Sequence, residues 1–307
     1  MAKNSKKIIE QVLQVRLSQM LINEEYKNGK FKIPIHLGFG HESISVAVSN
    51  IMKKNDELIL THRNASYNLA RIKKLKPIID EYLLKSSGLM NAKTGSMNLI
   101  NPKLGIIYSS SILGNNFSVA VGVSMAQKIS NKNNITIVLG GDGSIEEGSF
   151  YESLLMLKTL KLSSLIIIEN NEWSMSTKIN ERRHSIDLKK FSNSLGIKYI
   201  KMKNNNPFEY IKTLTKLRIQ CIKEKTPIVI EVFLSTLGEW KLMTTDFPNG
   251  KLINYHAGPT PSVDLEKCQI KIRENIDDPI YVIENEINGK IEDLVKPILK
   301  KLKSEIK

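Results

Sequence analysis

Short apolar runs alternate with stretches of helical periodicity along most of the chain. Residues 135–139 and 162–168 are runs rich in β-branched side chains, and residues 147–160 between them carry apolar side chains three and four positions apart. This order predicts a strand, a helix and a parallel strand. The same alternation continues through 198–202, 208–224 and 227–234, and the last of these runs is expected to end the sheet. The pattern predicts the α/β class: a doubly wound, mostly parallel sheet with helices on both faces.

Further amphipathic segments flank these runs. Residues 6–25, 43–52 and 117–127 are predicted helices, as is the basic segment 291–306, in which Pro297 is expected to kink or restart the helix. No linker divides the chain. Residues 1–307 are therefore expected to form a single domain, with a C-terminal helical extension from about residue 261 to 307.

The net charge of +14 permits nucleic acid or anionic substrates as partners. The lysines are dispersed, however, and are densest at 296–307, without zinc-finger spacing or a basic strand carrying aromatic residues. This distribution favours a solvated basic surface over nucleic-acid binding. Anionic substrates remain compatible with it.

Two cysteines and the hydropathy pattern bear on the compartment. Cys221 and Cys268 lack the spacing of metal ligands and are expected to be reduced thiols. The N-terminus has no apolar leader, and no run reaches membrane-spanning length. We therefore expect a cytoplasmic protein that does not contact membranes.

Glycines and polar residues typical of a ligand site follow the ends of the runs 135–139 and 162–168. The first run leads into Gly140-Gly141-Asp142-Gly143, and Asn171 follows the second run, 29 positions after Asp142. Glycines let the backbone approach a pyrophosphate, and a following helix N-terminus favours its charge. Carboxylate and amide oxygens, completed by phosphate oxygens and water, suit Mg²⁺ or Ca²⁺. These residues predict a metal-diphosphate clamp, the alternative being a doubly wound fold whose turn reads GDG by coincidence.

This stretch resembles the thiamine diphosphate motif, GDG followed by NN after a little under thirty residues. The resemblance implies thiamine diphosphate and Mg²⁺ (or Ca²⁺) as cofactors. It implies that Asp142, Asn171 and the backbone carbonyl of Trp173 bind the metal. It also implies that the turn around Gly141, Gly143 and Ser144 approaches the diphosphate.

The N-terminal third resembles the α subunit of the decarboxylating component of 2-oxo-acid dehydrogenases. Residues 36–42 (HLGFGHE), 94–99 (TGSMNL) and 112–114 (ILG) carry this resemblance, together with His62-Arg63. It implies that His36 is an active-site histidine, that His62 and Arg63 contact the diphosphate, and that the backbone of Ile112 and Gly114 lies against the cofactor. Two positions depart from the family: His41 stands where glutamine is usual and Asn98 where histidine is usual. A satisfied structural role is the alternative for His36.

The segment after 227–234 resembles a different thiamine diphosphate enzyme. The T-Y-R-x-x-G-H-S motif of the dehydrogenase α subunits is missing, whereas Tyr255-His256-Ala257 resembles a transketolase turn whose histidine lies in the active site. Glu146-Glu147 also favours transketolase. We therefore expect transketolase-like transfer of a two-carbon ketol unit between sugars, with His36, His62 and His256 as catalytic residues. The alternatives are the α subunit of a 2-oxo-acid dehydrogenase and a non-catalytic regulatory subunit.

Both resemblances cover only a diphosphate-binding domain. They imply a separate β-type subunit that supplies the activating glutamate and the pyrimidine site, in an α2β2 assembly acting on a sugar or a 2-oxo acid. Residues 174–187 resemble the loop that orders over the cofactor in such subunits. Arg182, Arg183 and His184 within it could contact a substrate phosphate or be solvated, and we expect them to be solvated.

Overall fold

The computed structural model of the chain describes residues 3–130, 133–265, 269–287 and 291–306. Cys268, one of the two predicted reduced thiols, lies outside the described residues. Cys221 is buried and free, and its thiol donates to the backbone oxygen of Thr226 at 3.1 Å. Burial raises the pKa of this thiol to about 12, so it is unreactive near neutral pH.

Six strands form one parallel sheet in the order β2-β1-β3-β4-β8-β7. Two short antiparallel pairs, β5 with β6 and β9 with β10, lie outside it. The strands are β1 Glu57–Thr61, β2 Ile106–Ser110, β3 Thr136–Gly141, β4 Ser164–Asn170, β5 Trp173–Ser174, β6 Thr177–Lys178, β7 Lys198–Met202, β8 Ile228–Phe233, β9 Glu239–Thr244 and β10 Phe247–Asn254.

Helices cover both faces of this sheet, and the predicted doubly wound α/β architecture is confirmed. They are α1 Lys3–Lys27, α2 Glu42–Ile51, α3 Ala65–Ile72, α4 Lys76–Tyr82, α5 Asn115–Ile129, α6 Gly148–Thr159, α7 Ile179–Arg182, α8 Leu188–Ser194, α9 Pro207–Glu224, α10 Pro279–Asn285 and α11 Glu292–Ile306. Helix α11 continues through Pro297 without a restart.

Alternating side chains of the central strands pack into two separate hydrophobic cores, one on each face of the sheet. On β3, Ile137 and Leu139 pack with α2 and α9, whereas Val138 points to the opposite face and packs with α5 and α6. Such two-sided burial is what a parallel strand between helical layers requires. A third apolar cluster joins α1 to α3, α4, α10 and α11.

The expectation that residues 227–234 end the sheet is wrong, because β8 lies between β4 and β7. All but the last residue of β8 are buried. Strand β7 forms the edge and exposes Lys198 and Lys201, which are typical of an edge strand because their charges oppose pairing with another chain. The β9–β10 hairpin was not predicted. Pro248-Asn249-Gly250, a sequence typical of a turn, lies within β10, where the pairing with β9 shifts in register between Phe247 and Lys251.

The strand order places a topological switch between β1 and β3. From β1 the chain proceeds outward to β2, returns to β3 on the other side of β1, and then continues to β4. Ligands of doubly wound proteins bind beyond the carboxyl ends of the strands at such a switch. A ligand site is therefore expected among the residues that follow β1, β3 and β4.

A fully buried ion-pair network holds the N-terminal helix to the C-terminal part of the chain. The Arg16 guanidinium on α1 contacts Glu42 at 2.6 Å and Asp278 at 2.9 Å, and all three side chains are inaccessible to solvent. Burial by itself lowers the pKa of Arg16, but the two carboxylates outweigh it and the net shift is upward. Asp278 also accepts from the backbone N–H of Ile280 and so caps α10.

Replacing Arg16 with methionine should lower the free energy of unfolding by about 3–5 kcal/mol, because it leaves Glu42 and Asp278 buried without a counter-charge. Lys190→Met is the control, since Lys190 pairs with Asp187 at the surface and such pairs contribute only about 0–1 kcal/mol. Urea unfolding of both variants measures the difference. Equal losses in the two variants would contradict the assignment of Arg16 as a structural centre.

Candidate functional site

The cleft at the topological switch gathers most of the residues singled out in the sequence. Its volume is about 250 Å³. The predicted residues that line it are His36, His62, Arg63, Ile112, Gly141, Asp142, Gly143, Ser144, Asn171, Trp173 and His256. Gly114 does not line it; this residue forms the N-cap of α5 just behind the cleft, with φ +74°.

Several lining residues were not predicted. They include Asn116 at the start of α5, Glu169 on β4, and Met175 after β5. No chemical motif in the sequence marks Asn116 or Met175. Glu169 belongs to the Glu-Asn-Asn triplet that ends the second apolar run, so its position at the strand end was the available signal.

Asp142 follows β3 and is only 2% exposed. Burial raises the pKa of its carboxyl, and the Arg182 guanidinium, 2.5 Å away, opposes that rise. Arg182 and Arg183 both also contact Glu146, at 2.6 and 2.7 Å. The expectation that these two arginines are solvated is therefore wrong: they bring positive charge to a desolvated carboxylate. His184 is exposed, as expected.

The turn that carries Asp142 is tightly closed. A Cβ atom built on Gly143 would lie 2.6 Å from the Ser174 hydroxyl oxygen, so any side chain at residue 143 would require Ser174 to move. The hydroxyl of Ser144 accepts from the backbone N–H of Gly141 at 3.3 Å. A single 3₁₀ turn, Ser144–Glu146, then precedes α6.

Asn171 follows β4, which pairs directly with β3. Its side-chain oxygen accepts from the backbone N–H of Trp173 at 3.1 Å, and its NH₂ group donates to the Thr236 hydroxyl at 2.7 Å. Adjacent strand ends thus present a buried carboxylate and an amide oxygen. A guanidinium already contacts the carboxylate, which shows that the site favours a cation. These donors fit a hard divalent cation such as Mg²⁺.

Three histidines from distant parts of the chain meet in the cleft. The ring of His36 lies 4.6 Å from that of His62 and 4.9 Å from that of His256, and the latter two are 5.6 Å apart. Within the described ranges these three side chains form a cluster whose ligand atoms lie within 4.8 Å of one another. The prediction that all three belong to one site therefore agrees with their positions.

The environment of this cluster keeps its rings uncharged. Burial lowers the pKa of His36 to about 2, with contributions from His62, Arg63 and His256. Burial and nearby charge, chiefly Arg63, likewise lower the pKa of His62 to about 3 and of His256 to about 4. The Arg63 guanidinium donates to the backbone oxygens of Leu37 and His256. At neutral pH this cluster thus holds three neutral imidazoles beside the cationic guanidinium of Arg63.

A family model described as dehydrogenase E1 component matches residues 11–235. The chain belongs to the dehydrogenase E1 component family. Membership in this family implies thiamine diphosphate as the cofactor, in agreement with the motif around Asp142 and Asn171.

Relatives and solved structures agree with this assignment. A pyruvate dehydrogenase E1 component subunit alpha from Rickettsia prowazekii is 27% identical over 300 residues, which are 96% of this chain and 88% of the relative. The same subunit from Rickettsia typhi is 30% identical over 198 residues, 64% of this chain and 60% of the relative. A transketolase from Campylobacter jejuni superposes with a TM-score of 0.59 at 17% identity, covering 99% of this chain and 49% of the transketolase. That last likeness shows a shared fold.

The expected transketolase-like sugar transfer is wrong, because the E1 family model and the named E1 alpha relatives both indicate a 2-oxo-acid dehydrogenase subunit. The residues that favoured transketolase have other contacts in the structure. Glu146, which favoured transketolase, contacts Arg182 and Arg183. His256 packs against His36, one of the residues that resemble the dehydrogenases, so it does not separate the two reactions.

Among the described residues of this E1 chain, no helix combines the length and the hydropathy needed to cross a lipid bilayer.

Replacing His36 with asparagine should reduce the pH dependence of stability. A folded-state pKa of about 2 lies below the ordinary histidine value of about 6.5, so the unfolded chain binds the extra proton. The stabilisation from a neutral His36 is complete above about pH 6.5 and is lost as the pH falls below it, by up to about 1.4 kcal/mol per pH unit. Urea unfolding at pH 7 and pH 5 measures the slope.

The matched control for this prediction is His184→Asn, because His184 is exposed and outside the cluster. It should keep the parental slope between pH 7 and pH 5, whereas His36→Asn should reduce the slope and leave the contributions of His62 and His256. If His36→Asn keeps the parental slope, burial does not suppress the charge of His36.

Proposed function

We propose that this chain is the α-type subunit of the decarboxylating component of a 2-oxo-acid dehydrogenase, acting on pyruvate or a related 2-oxo acid. One observation carries the proposal. In a chain of the E1 family, Asp142 and Asn171 follow adjacent strands at the cleft in which His36, His62 and His256 meet. The clamp for a metal diphosphate and the groups for substrate chemistry therefore share one site.

The diphosphate end of the cofactor is assigned to the turn after β3. Asp142, Asn171 and the backbone carbonyl of Trp173 would hold Mg²⁺ (or Ca²⁺), and Gly141, Gly143 and Ser144 would approach the phosphates. The glycines of this turn support the assignment, since a residue without a side chain lets the backbone come close to phosphate oxygens. When bound, thiamine diphosphate supplies the electron sink for the charge left by loss of CO₂.

Arg63 and the histidine cluster are assigned to the reacting end and the phosphates. Arg63 is a fixed cation that suits diphosphate oxygens or a carboxylate. His36, His62 and His256 are neutral, so they would orient the substrate by donating and accepting hydrogen bonds. Their lowered pKa values keep further positive charge out of a cleft that must also admit a metal ion.

We further propose that the chain works with a separate β-type subunit, in an α2β2 assembly with the cofactor at the interface. Three apolar side chains at the cleft are unusually exposed: Ile112 is 69%, Leu113 43% and Met175 66% accessible. Exposed apolar residues around a polar cleft favour contact with another polypeptide. The buried free thiol of Cys221 is compatible with the reducing cytoplasm, where we expect the enzyme to act.

Asp142→Asn and Asn171→Ala should each weaken binding of thiamine diphosphate with Mg²⁺ by at least about 100-fold, more than outer-sphere changes usually cost. The experiment is calorimetry on the assembly with the β-type subunit. Asn170→Ala is the matched control, because Asn170 precedes Asn171 but donates to Glu231 and does not line the cleft. Unchanged cofactor affinity in both site variants would overturn the assignment of the clamp.

The purified chain alone should release no CO₂ from pyruvate or from branched 2-oxo acids, and the reconstituted pair should do so in the presence of an electron acceptor. The physical reason is that the β-type subunit would supply the activating glutamate and the pyrimidine site. Assays of each subunit separately and of the mixture measure this. Full decarboxylation by the single chain would overturn the two-subunit proposal, and an inactive pair on every 2-oxo acid tested would overturn the reaction.

A further inference from the structure

We propose that Thr236 and His41 are positioning residues that fix the metal-ligating face of Asn171 through a buried chain of hydrogen bonds ending at Glu169. This inference rests on the proposed function, in which Asn171 binds the metal. It assigns a role to His41, which stands where the dehydrogenase α subunits usually have glutamine.

The chain of contacts is continuous and buried. The Asn171 NH₂ group contacts the Thr236 hydroxyl at 2.7 Å, and that hydroxyl lies 2.9 Å from His41 Nε2. His41 Nδ1 lies 2.9 Å from a carboxylate oxygen of Glu169. Thr236 and His41 are 0% and 2% exposed, and Glu169 is 6% exposed.

The directions of the bonds to Asn171 follow from which groups can only donate or only accept, and those to His41 are assigned for a neutral imidazole ring. The backbone N–H of Trp173 can only donate, so the Asn171 atom that it contacts is the oxygen, and the NH₂ group faces Thr236. Thr236 accepts that N–H and has one proton left to give, which goes to His41 Nε2. His41 then carries its proton on Nδ1 and donates to the Glu169 carboxylate.

Glu169 is a fixed end for this chain. It also accepts from the Tyr67 hydroxyl at 2.7 Å, and burial together with Glu169 raises the pKa of Tyr67, so that phenol remains a donor. The charge of Arg63 interacts favourably with Glu169. In this series of hydrogen bonds from Asn171 to Glu169, each donor proton therefore has one acceptor, and all the bonds run in the same direction.

A close backbone approach holds the two positioning residues opposite each other. Gly40, next to His41, has φ +92°, and a Cβ atom there would lie 2.0 Å from the backbone oxygen of Ser235. The N–H of Leu237 donates to the backbone oxygen of Phe39 at 2.9 Å. The segment around His41 thus lies directly against the segment around Thr236.

The hydrogen bond to Thr236 determines whether the oxygen or the NH₂ group of the Asn171 amide faces a cation. An amide rotated by half a turn would present its NH₂ group, which repels a metal ion. The bond to Thr236 holds the NH₂ group away and leaves the oxygen as the available ligand. Outer groups that orient a ligand in this way typically change metal affinity about 10- to 100-fold when they are removed.

The experiment measures Mn²⁺ binding by electron paramagnetic resonance, in the assembly with the β-type subunit and thiamine diphosphate, so that its readout is metal occupancy. Thr236→Val removes the hydroxyl at nearly constant volume and should weaken Mn²⁺ binding about tenfold. Thr236→Ser should restore it. Thr260→Val is the matched control, because Thr260 is equally buried and its hydroxyl contacts Glu239 and Ser262, away from Asn171.

His41 is tested in the same assay. His41→Leu interrupts the series of hydrogen bonds and should also weaken Mn²⁺ binding about tenfold. His41→Gln should keep the Mn²⁺ affinity within about threefold of the parental value, because a glutamine amide can donate to Glu169 and accept from Thr236. The double variant His41→Leu with Thr236→Val should lose no more than the weaker-binding single variant, since both interrupt one series of bonds.

Three outcomes overturn the inference. Parental Mn²⁺ affinity in Thr236→Val would show that the hydroxyl does not orient Asn171. An equal loss in Thr260→Val would show that the effect is one of stability. Additive losses in the double variant would show that His41 does not act through Thr236. If the parental assembly itself binds no Mn²⁺ with thiamine diphosphate, the proposed function fails first, which is a separate and recognisable result.

Discussion

The site depends on one buried carboxylate that requires a cation. Asp142 is almost fully removed from water, which raises the free energy of its charged form, and the fold offsets this with the guanidinium of Arg182 at 2.5 Å. The same requirement makes the position suitable for a divalent metal, whose charge is larger and more compact. The strand order supplies the second candidate ligand: β3 and β4 are neighbours in the sheet, so Asp142 and Asn171, which follow them, lie at adjacent strand ends. A carboxylate in the same turn but exposed to solvent would impose no such demand.

Burial also determines what the histidines can do. Three imidazoles packed against one another and against Arg63 cannot easily hold a proton, so the cleft keeps them as neutral hydrogen-bonding groups. This arrangement limits the positive charge in the cleft and leaves Arg63 as the fixed cation of the cluster. It also shows why His256, on which the transketolase expectation partly rested, did not distinguish the two reactions. Neutral, mutually packed histidines serve a shared cofactor cleft, and the dehydrogenase relatives, more than the number of histidines, indicate which substrate class belongs there.

Departures from a family pattern acquire meaning only with their neighbours. His41 replaces a glutamine, and the sequence left its role open. In the fold it lies between Glu169 and Thr236, two residues more than sixty positions apart from each other and far from residue 41. A side chain with one donor and one acceptor satisfies both, which glutamine and histidine achieve with different shapes. The substitution is therefore conservative in hydrogen bonding although it is not conservative in chemistry.

The sequence by itself determined the parallel α/β class, the approximate positions of the longer helices and of four strands of the main sheet, and the residues that follow β3 and β4, because these are encoded in local periodicity and in short motifs. It did not determine that β8 lies inside the sheet, that residues 239–254 form a hairpin, or that Arg182 and Arg183 contact Asp142 and Glu146. Those features depend on contacts between segments far apart in the chain. The convergence of His36, His62 and His256 was only implied by resemblance. Tertiary structure decided their separations and their protonation, because desolvation and neighbouring charge are properties of the packed site, which no local pattern of residues contains.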